Sequence, residues 1–217
     1  MDPRIRALKE LYPFDVFYGE MKHGDEMMLG DIIALNTLLD INNPKSILEI
    51  GCWTGNCTCL FGLWVKAYGG KVYSIDPFTG SPGSEQEKLA SPVKEQFLYN
   101  LKKFGLEDTV TLLEGTSDDY ADLDQKFDMV FIDGDHRYSQ VKKDIDNYLP
   151  KVNDGGILAG HDLNSGFYKE EHVENDWVDG IHHGVTKAVM EHAGINRLDS
   201  GSYNSIWFKE VQPCLVA

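Results

Sequence analysis

SILEIGCWTGNCT (residues 46–58) is a short apolar run, a turn carrying two glycines, and the opening of a helix. Residues 46–50 have no polar face, which is the pattern of a strand buried on both sides in a parallel sheet. Gly51 and Gly55 then allow a sharp exit and close backbone approach to a ligand. The helix this turn opens is expected over about 55–68 and ends at Gly69-Gly70.

The same unit repeats downstream. KVYSI (71–75), TVTLLE (109–114), DMVFI (128–132) and GGILAG (155–160) read as further strands. Helices are expected over 91–104, near 117–123, over 138–149 and over 180–193, and SIWFKE (205–210) as a late antiparallel strand. Upstream, residues 2–11 and 24–40 have helical periodicity, the second with Leu29, Ile32, Ile33, Leu35, Leu38 and Leu39 on one broad apolar face. Alternation of this kind predicts an α/β, Rossmann-like doubly wound sheet, mostly parallel with a late antiparallel strand and helices on both faces. Residues 1–44 are expected to form a helical extension or cap and 45–217 the main domain. The long stretches 77–90 and 161–179 follow strand ends, where open α/β sheets bind ligands.

Bulk properties narrow the function. The 217 residues carry a formal charge of -15 and a pI near 4.7. That field repels phosphate backbones and anionic membranes, so no nucleic acid and no membrane partner is expected. The acidity serves solubility or an acidic pocket suited to cations. MDPRIRALKELYPF has charges where a secretory signal would be apolar, and no apolar run approaches the roughly 20 residues of a membrane span. Cys52, Cys57 and Cys59 bunch at one turn, a poor layout for disulfides or structural zinc, and with Cys214 read as free thiols or small packing residues of a cytoplasmic protein.

The glycine spacing is G-x-x-x-G, not the dinucleotide G-x-G-x-x-G, which argues against a nicotinamide enzyme. Asp76 ends the second strand, where a carboxylate can accept both hydroxyls of a ribose. Glu49-x-Gly51, Gly55 and Asp76 in this order resemble the first two motifs of class I S-adenosylmethionine methyltransferases. The resemblance implies Glu49, Gly51, Trp53 and Gly55 on the methionine and sulfonium side, Asp76 on the ribose, and Gly115-Thr116-Ser117 at the adenine. MKHGDEMMLGDIIAL (21–35) resembles the helix opening of catechol-type O-methyltransferases, which implies Met21 and Lys22 as candidate cofactor contacts, with ordinary packing the alternative for Met21.

FDMVFIDGDHRY (127–138) and GGILAGHD (155–162) bring acids and imidazoles to two successive strand ends. Neighbouring strands lie about 4.8 Å apart, so Asp133 and Asp162 can converge on one ion. The two segments resemble the family with the F-I-D-G-D-H-x-Y motif that includes macrolide-sugar O-methyltransferases and cephalosporin-hydroxylase-like proteins. Asp133, Gly134, Asp135, His136, Tyr138, Asp144, Pro150, Gly155, Gly156 and Asp162 match it over roughly 45–165. It implies Asp133 and Asp162 as metal ligands, with Asp133 and His136 catalytic and His136 the general base. His161 departs from the oxygen donor expected beside Asp162; it either stays outside the metal shell or joins it and shifts preference from magnesium toward manganese, iron or zinc.

The expected activity is transfer of a methyl group from S-adenosylmethionine to a small-molecule hydroxyl, sugar or phenolic, assisted by a divalent metal (Mg²⁺ or Mn²⁺). A metal-dependent hydroxylase-like relative and a non-catalytic S-adenosylmethionine-binding protein are the alternatives. A helix such as 2–11 could swap onto a second copy to give a homo-oligomer. His23, His172, His182, His183 and His192 are read as solvated surface residues. Phe167, Tyr168 and Trp177 close over substrate or form a satellite core beneath the loop.

Overall fold

The computed structural model describes residues 29–80, 93–164, 168–175, 177–192, 194–197 and 204–212. Within these, helix α1 (Leu29–Asn42) precedes strand β1 (Ser46–Ile50), helix α2 (Asn56–Lys66) and strand β2 (Lys71–Asp76). Helix α3 (Val93–Lys103), β3 (Val110–Glu114), β4 (Phe127–Ile132), α4 (Tyr138–Tyr148), β5 (Val152–Gly160), α5 (His183–Glu191) and β6 (Trp207–Glu210) follow. The sheet order is β3-β2-β1-β4-β5-β6, every pair parallel except β5 with β6. The doubly wound sheet with a late antiparallel strand is therefore present.

Strand alternation sorts the core into two halves. Ile47, Val72, Met129, Phe131 and Ile157 face α1, α2 and α3, packing on Leu35, Leu38, Phe61 and Phe97. Leu48, Ile50, Val130, Ile132 and Leu158 face α4 and α5, packing on Ile145, Tyr148, Val185 and Val189. Both faces of the central strands are buried, which is why SILEI has no polar side.

Several boundaries differ from expectation. The helix near 117–123 shrinks to a 3₁₀ turn, Ser117–Tyr120, capped reciprocally by Thr116 and Asp119. Strand β5 begins three residues earlier than GGILAG suggests, and its pairing with β4 shifts register after Phe127. Ile32 and Ile33 are only half-buried, whereas Asp31 lies in the buried stripe with Ala34, Leu35, Leu38 and Leu39. The expected helix 2–11, the start of helix 24–40, Met21, Lys22, His23, Phe167 and Cys214 lie outside the described residues. Cys52, Cys57 and Cys59 are buried thiols. No helix among the described residues is long and apolar enough to cross a membrane.

Candidate active site

The C-terminal strand ends form one rim, tied together by their exits. Gly51 N–H donates to Ile75 O, Asp133 N–H to Ile50 O, Gly115 N–H to Asp76 O and His161 N–H to Ile132 O. Gly51 sits at φ 84°, and an added Cβ would lie 2.1 Å from the carbonyl oxygen of Asp133. This glycine is thus demanded by the close approach of the β1 and β4 exits. At Gly55 (φ 89°) a Cβ would meet the Phe97 ring at 2.9 Å.

Asp76 holds the turn. Its Oδ2 accepts from the backbone N–H groups of Cys52 (2.8 Å) and Trp53 (2.7 Å), and its Oδ1 from that of Phe78 (2.7 Å). Two donors occupy both lone pairs of Oδ2, so Oδ1 alone retains capacity for a ligand hydroxyl. Burial raises the Asp76 pKa, against the pull of these amides. Glu49 lies wholly buried beneath α2, with Oε2 accepting from Thr58 Oγ1 (2.5 Å) and Ser74 Oγ (2.8 Å). Its Oε1 has no hydrogen-bond partner among the described residues, and burial pushes its pKa up to about 8. The Ser117 hydroxyl is already engaged, donating to Asp144 (2.6 Å) and accepting from Gln140 (3.1 Å), and its carbonyl accepts from the Tyr148 hydroxyl (2.5 Å), which ties this turn to α4.

The β4 and β5 ends carry the densest group of titratable side chains. Ile132 pairs with Gly160, so the residues that follow, Asp133 and His161, emerge side by side. His161 Nδ1 stands 3.4 Å from Asp133 Oδ1 and 3.5 Å from Asp162 Oδ1. His136 Nε2 lies 3.0 Å from Asp162 Oδ2 and 3.8 Å from Asp133 Oδ1. Asp162 turns into this group through a left-handed backbone (φ 61°), a conformation costing a non-glycine residue about 1–2 kcal/mol. Trp207, fully buried, fixes the end of β5 by donating its indole N–H to His161 O (3.0 Å). Asp135 is turned away and paired with Arg137.

Two residues of this site went unrecognised in the sequence. Asp31 accepts from Ser205 N–H (2.6 Å), and its Oδ2 faces His161 Nε2 at 3.4 Å without a well-aligned hydrogen bond. The signal was an acid at the first position of the apolar stripe 31/34/35/38/39. His182 is buried, contrary to the surface reading: its ring centroid lies 4.0 Å from that of His136, the planes tilted by 41°, and its Nε2 is 3.7 Å from Asp162 Oδ2. His183 is likewise buried, accepting from Lys169 N–H through Nδ1 (3.1 Å) and meeting Val178 O through Nε2 (3.1 Å). Both move inward because Gly184, where a Cβ would come within 2.5 Å of Tyr138 N, His136 O and Val173 O, lets α5 press against the β4 exit. His172 and His192 are half-buried. Trp177 is largely exposed, its edge against the His182 ring at 4.8 Å.

Electrostatics bind the group together. Burial lowers the pKa of His161, but Asp162 and Asp133 outweigh it and hold the imidazole well above its ordinary range. Burial would raise Asp162, yet His161, His136 and His182 keep its carboxyl far below the usual range. An imidazolium therefore neutralises the acids where a metal ion could. Asp133, His161 and Asp162 each offer a ligand atom, all within 4.8 Å of one another. A carboxylate behind the second nitrogen of a ligating histidine is the usual outer support of such ligands, and Asp31 occupies that position.

Residues 48–163, more than half of the chain, match the protein family described as "Methyltransferase domain". The chain belongs to that family. It is an enzyme of the S-adenosylmethionine-dependent methyltransferase class, and its fold is that of solved O-methyltransferases. The methyltransferase is similar to the O-methyltransferase from Bacillus cereus in complex with SAH, at 19% identity and TM-score 0.60, covering 98% of this chain and 93% of that one. It is similar to the SAH-bound methyltransferase PaMTH1 of Podospora anserina, at 17% identity and TM-score 0.63, covering 96% and 88%. It is also similar to the O-methyltransferase TomG from Streptomyces achromogenes in complex with SAM, at 16% identity and TM-score 0.58, covering 95% and 89%. At these identities the likeness is one of fold.

Proposed function

We propose that this methyltransferase transfers the methyl group of S-adenosylmethionine to a hydroxyl of a small molecule, a sugar or phenolic group of a specialised metabolite, with a divalent metal as aid. The observation that carries this reading is the convergence of Asp133, His136, His161 and Asp162 at adjacent strand ends, next to the glycine turn. The solved O-methyltransferases that share the fold support the choice of oxygen as acceptor.

On this reading Glu49, Gly51, Trp53 and Gly55 line the methionine end of the cofactor. The buried, partnerless Oε1 of Glu49 leaves a hydrogen-bonding atom unspent there, and Asp76 Oδ1 accepts one ribose hydroxyl. The backbones of Gly115 and Ser117 border the adenine, and Met21 and Lys22 are further cofactor contacts. Asp133, Asp162 and His161 hold the metal. When bound, the metal lowers the pKa of the acceptor hydroxyl and helps orient it. His136 takes the hydroxyl proton on its imidazole, and Asp162 Oδ2, 3.0 Å from Nε2, stabilises the imidazolium that results. The sulfonium carries its own leaving group, so the remaining work is positioning in a water-poor rim.

The test is transfer of labelled methyl groups to a panel of sugar and phenolic hydroxyls, with manganese or magnesium and with EDTA. Metal-dependent labelling of a hydroxyl is expected. Labelling of nitrogen or carbon acceptors only, or transfer indifferent to EDTA, would overturn the reading.

A further inference from the structure

The two oxygens of Asp162 face different partners. Oδ1 is turned to His161, 3.5 Å from Nδ1, and through it to Asp133. Oδ2 is turned to two other imidazoles, His136 at 3.0 Å and His182 at 3.7 Å. His136, Asp162 and His182 each present a ligand atom within 4.8 Å of the others, as the Asp133 group also does. A carboxylate with one oxygen in each of two donor sets is the arrangement that bridges paired metal ions, which sit about 3.5–4 Å apart in two-metal sites.

The second set is built into the fold. His182 caps the N-terminus of α5, and Gly184 seats that helix against the His136 backbone at a distance no side chain permits. The left-handed backbone of Asp162 is what aims its carboxylate between the two groups. Both histidines are nearly buried, so little rotamer freedom remains to be lost on binding a cation.

We propose that Asp162 bridges two adjacent metal positions, the second bounded by His136, Asp162 and His182. Two imidazoles and one carboxylate suit zinc, iron(II) or cobalt(II) and suit magnesium poorly, which prefers an oxygen shell. The two positions thus differ in chemistry: the Asp133 side offers two carboxylates and one imidazole, the His182 side the reverse proportion. Filling the second position engages the Nε2 lone pair of His136. Zinc in excess then inhibits methyl transfer; this consequence rests on the proposed function, whereas the metal stoichiometry does not.

The test is equilibrium dialysis of the full chain against zinc, followed by elemental analysis. Two equivalents per chain are expected for the parent, and one for each of His182→Gln and Asp133→Asn. Circular dichroism establishes that each variant is folded. Anomalous diffraction at the zinc edge on the parent protein needs no variant, and two peaks flanking Asp162 are expected. One equivalent in the parent, two equivalents retained by His182→Gln, or a single anomalous peak would each overturn the bridge.

Discussion

Replacing Glu49 by glutamine tests the buried carboxyl under α2 with almost no change of shape. The amide side chain keeps an oxygen for Thr58 and Ser74, the two hydroxyls that donate to Glu49 Oε2. What the substitution removes is a titration. Burial moves the carboxyl from its ordinary 4.5 to about 8, which corresponds to roughly 5 kcal/mol between the two protonation states. Because the folded value is raised, the stability it contributes is complete below pH 4.5. It is lost as the pH climbs through 8. Parent and variant should therefore match in stability near pH 4. The variant should gain about 1.4 kcal/mol per pH unit above 4.5, reaching roughly 3 kcal/mol at pH 7. For a chain of this size that is about 6–12 °C in Tm. Thermal unfolding followed by circular dichroism from pH 4 to 8.5, without ligand, reads the difference. The same substitution should weaken S-adenosylmethionine binding in calorimetry above about pH 8, where the parent carboxyl is ionised and the uncharged amide cannot answer the sulfonium. A Tm difference that stays constant with pH, or a variant less stable than the parent at pH 8, would refute the reasoning.

Gly51→Ala should lower stability by about 3 kcal/mol or more, since it combines a positive φ with a Cβ 2.1 Å from Asp133 O; an unchanged denaturation midpoint would contradict the packing argument. Metal binding should release a proton, because His161 is held charged by Asp162 and Asp133 and must give up that charge to ligate. Manganese affinity should then tighten as the pH rises, and calorimetry in buffers of differing ionisation enthalpy should show the proton. Buffer-independent heats with a pH-independent affinity would remove His161 from the ligand set.

Much of this architecture could be read from strand pattern alone. SILEI, KVYSI and DMVFI are apolar on both faces because helices cover both, and the motifs at their ends stand where parallel pairing puts them. The partnership of Asp133 with His161 follows directly from the Ile132–Gly160 pairing. Less legible were groups whose role depends on distant packing. Asp31 reaches the site from a helix far upstream in the chain and is tied to Ser205, far downstream, just before β6. His182 reads as a polar loop residue until Gly184 is seen to press α5 onto the β4 exit. Asp76 reads as a ligand for a cofactor, yet most of its hydrogen-bonding capacity goes into shaping the turn, because buried amides at a sharp exit need an acceptor.

Co-crystals grown with S-adenosylhomocysteine and manganese, measured at the manganese edge, bear on the strand-end engine most directly. An anomalous peak is predicted within coordinating distance of carboxylate oxygens from both Asp133 and Asp162, beside the cofactor sulfur. Full cofactor occupancy with no manganese between those two carboxylates would contradict it.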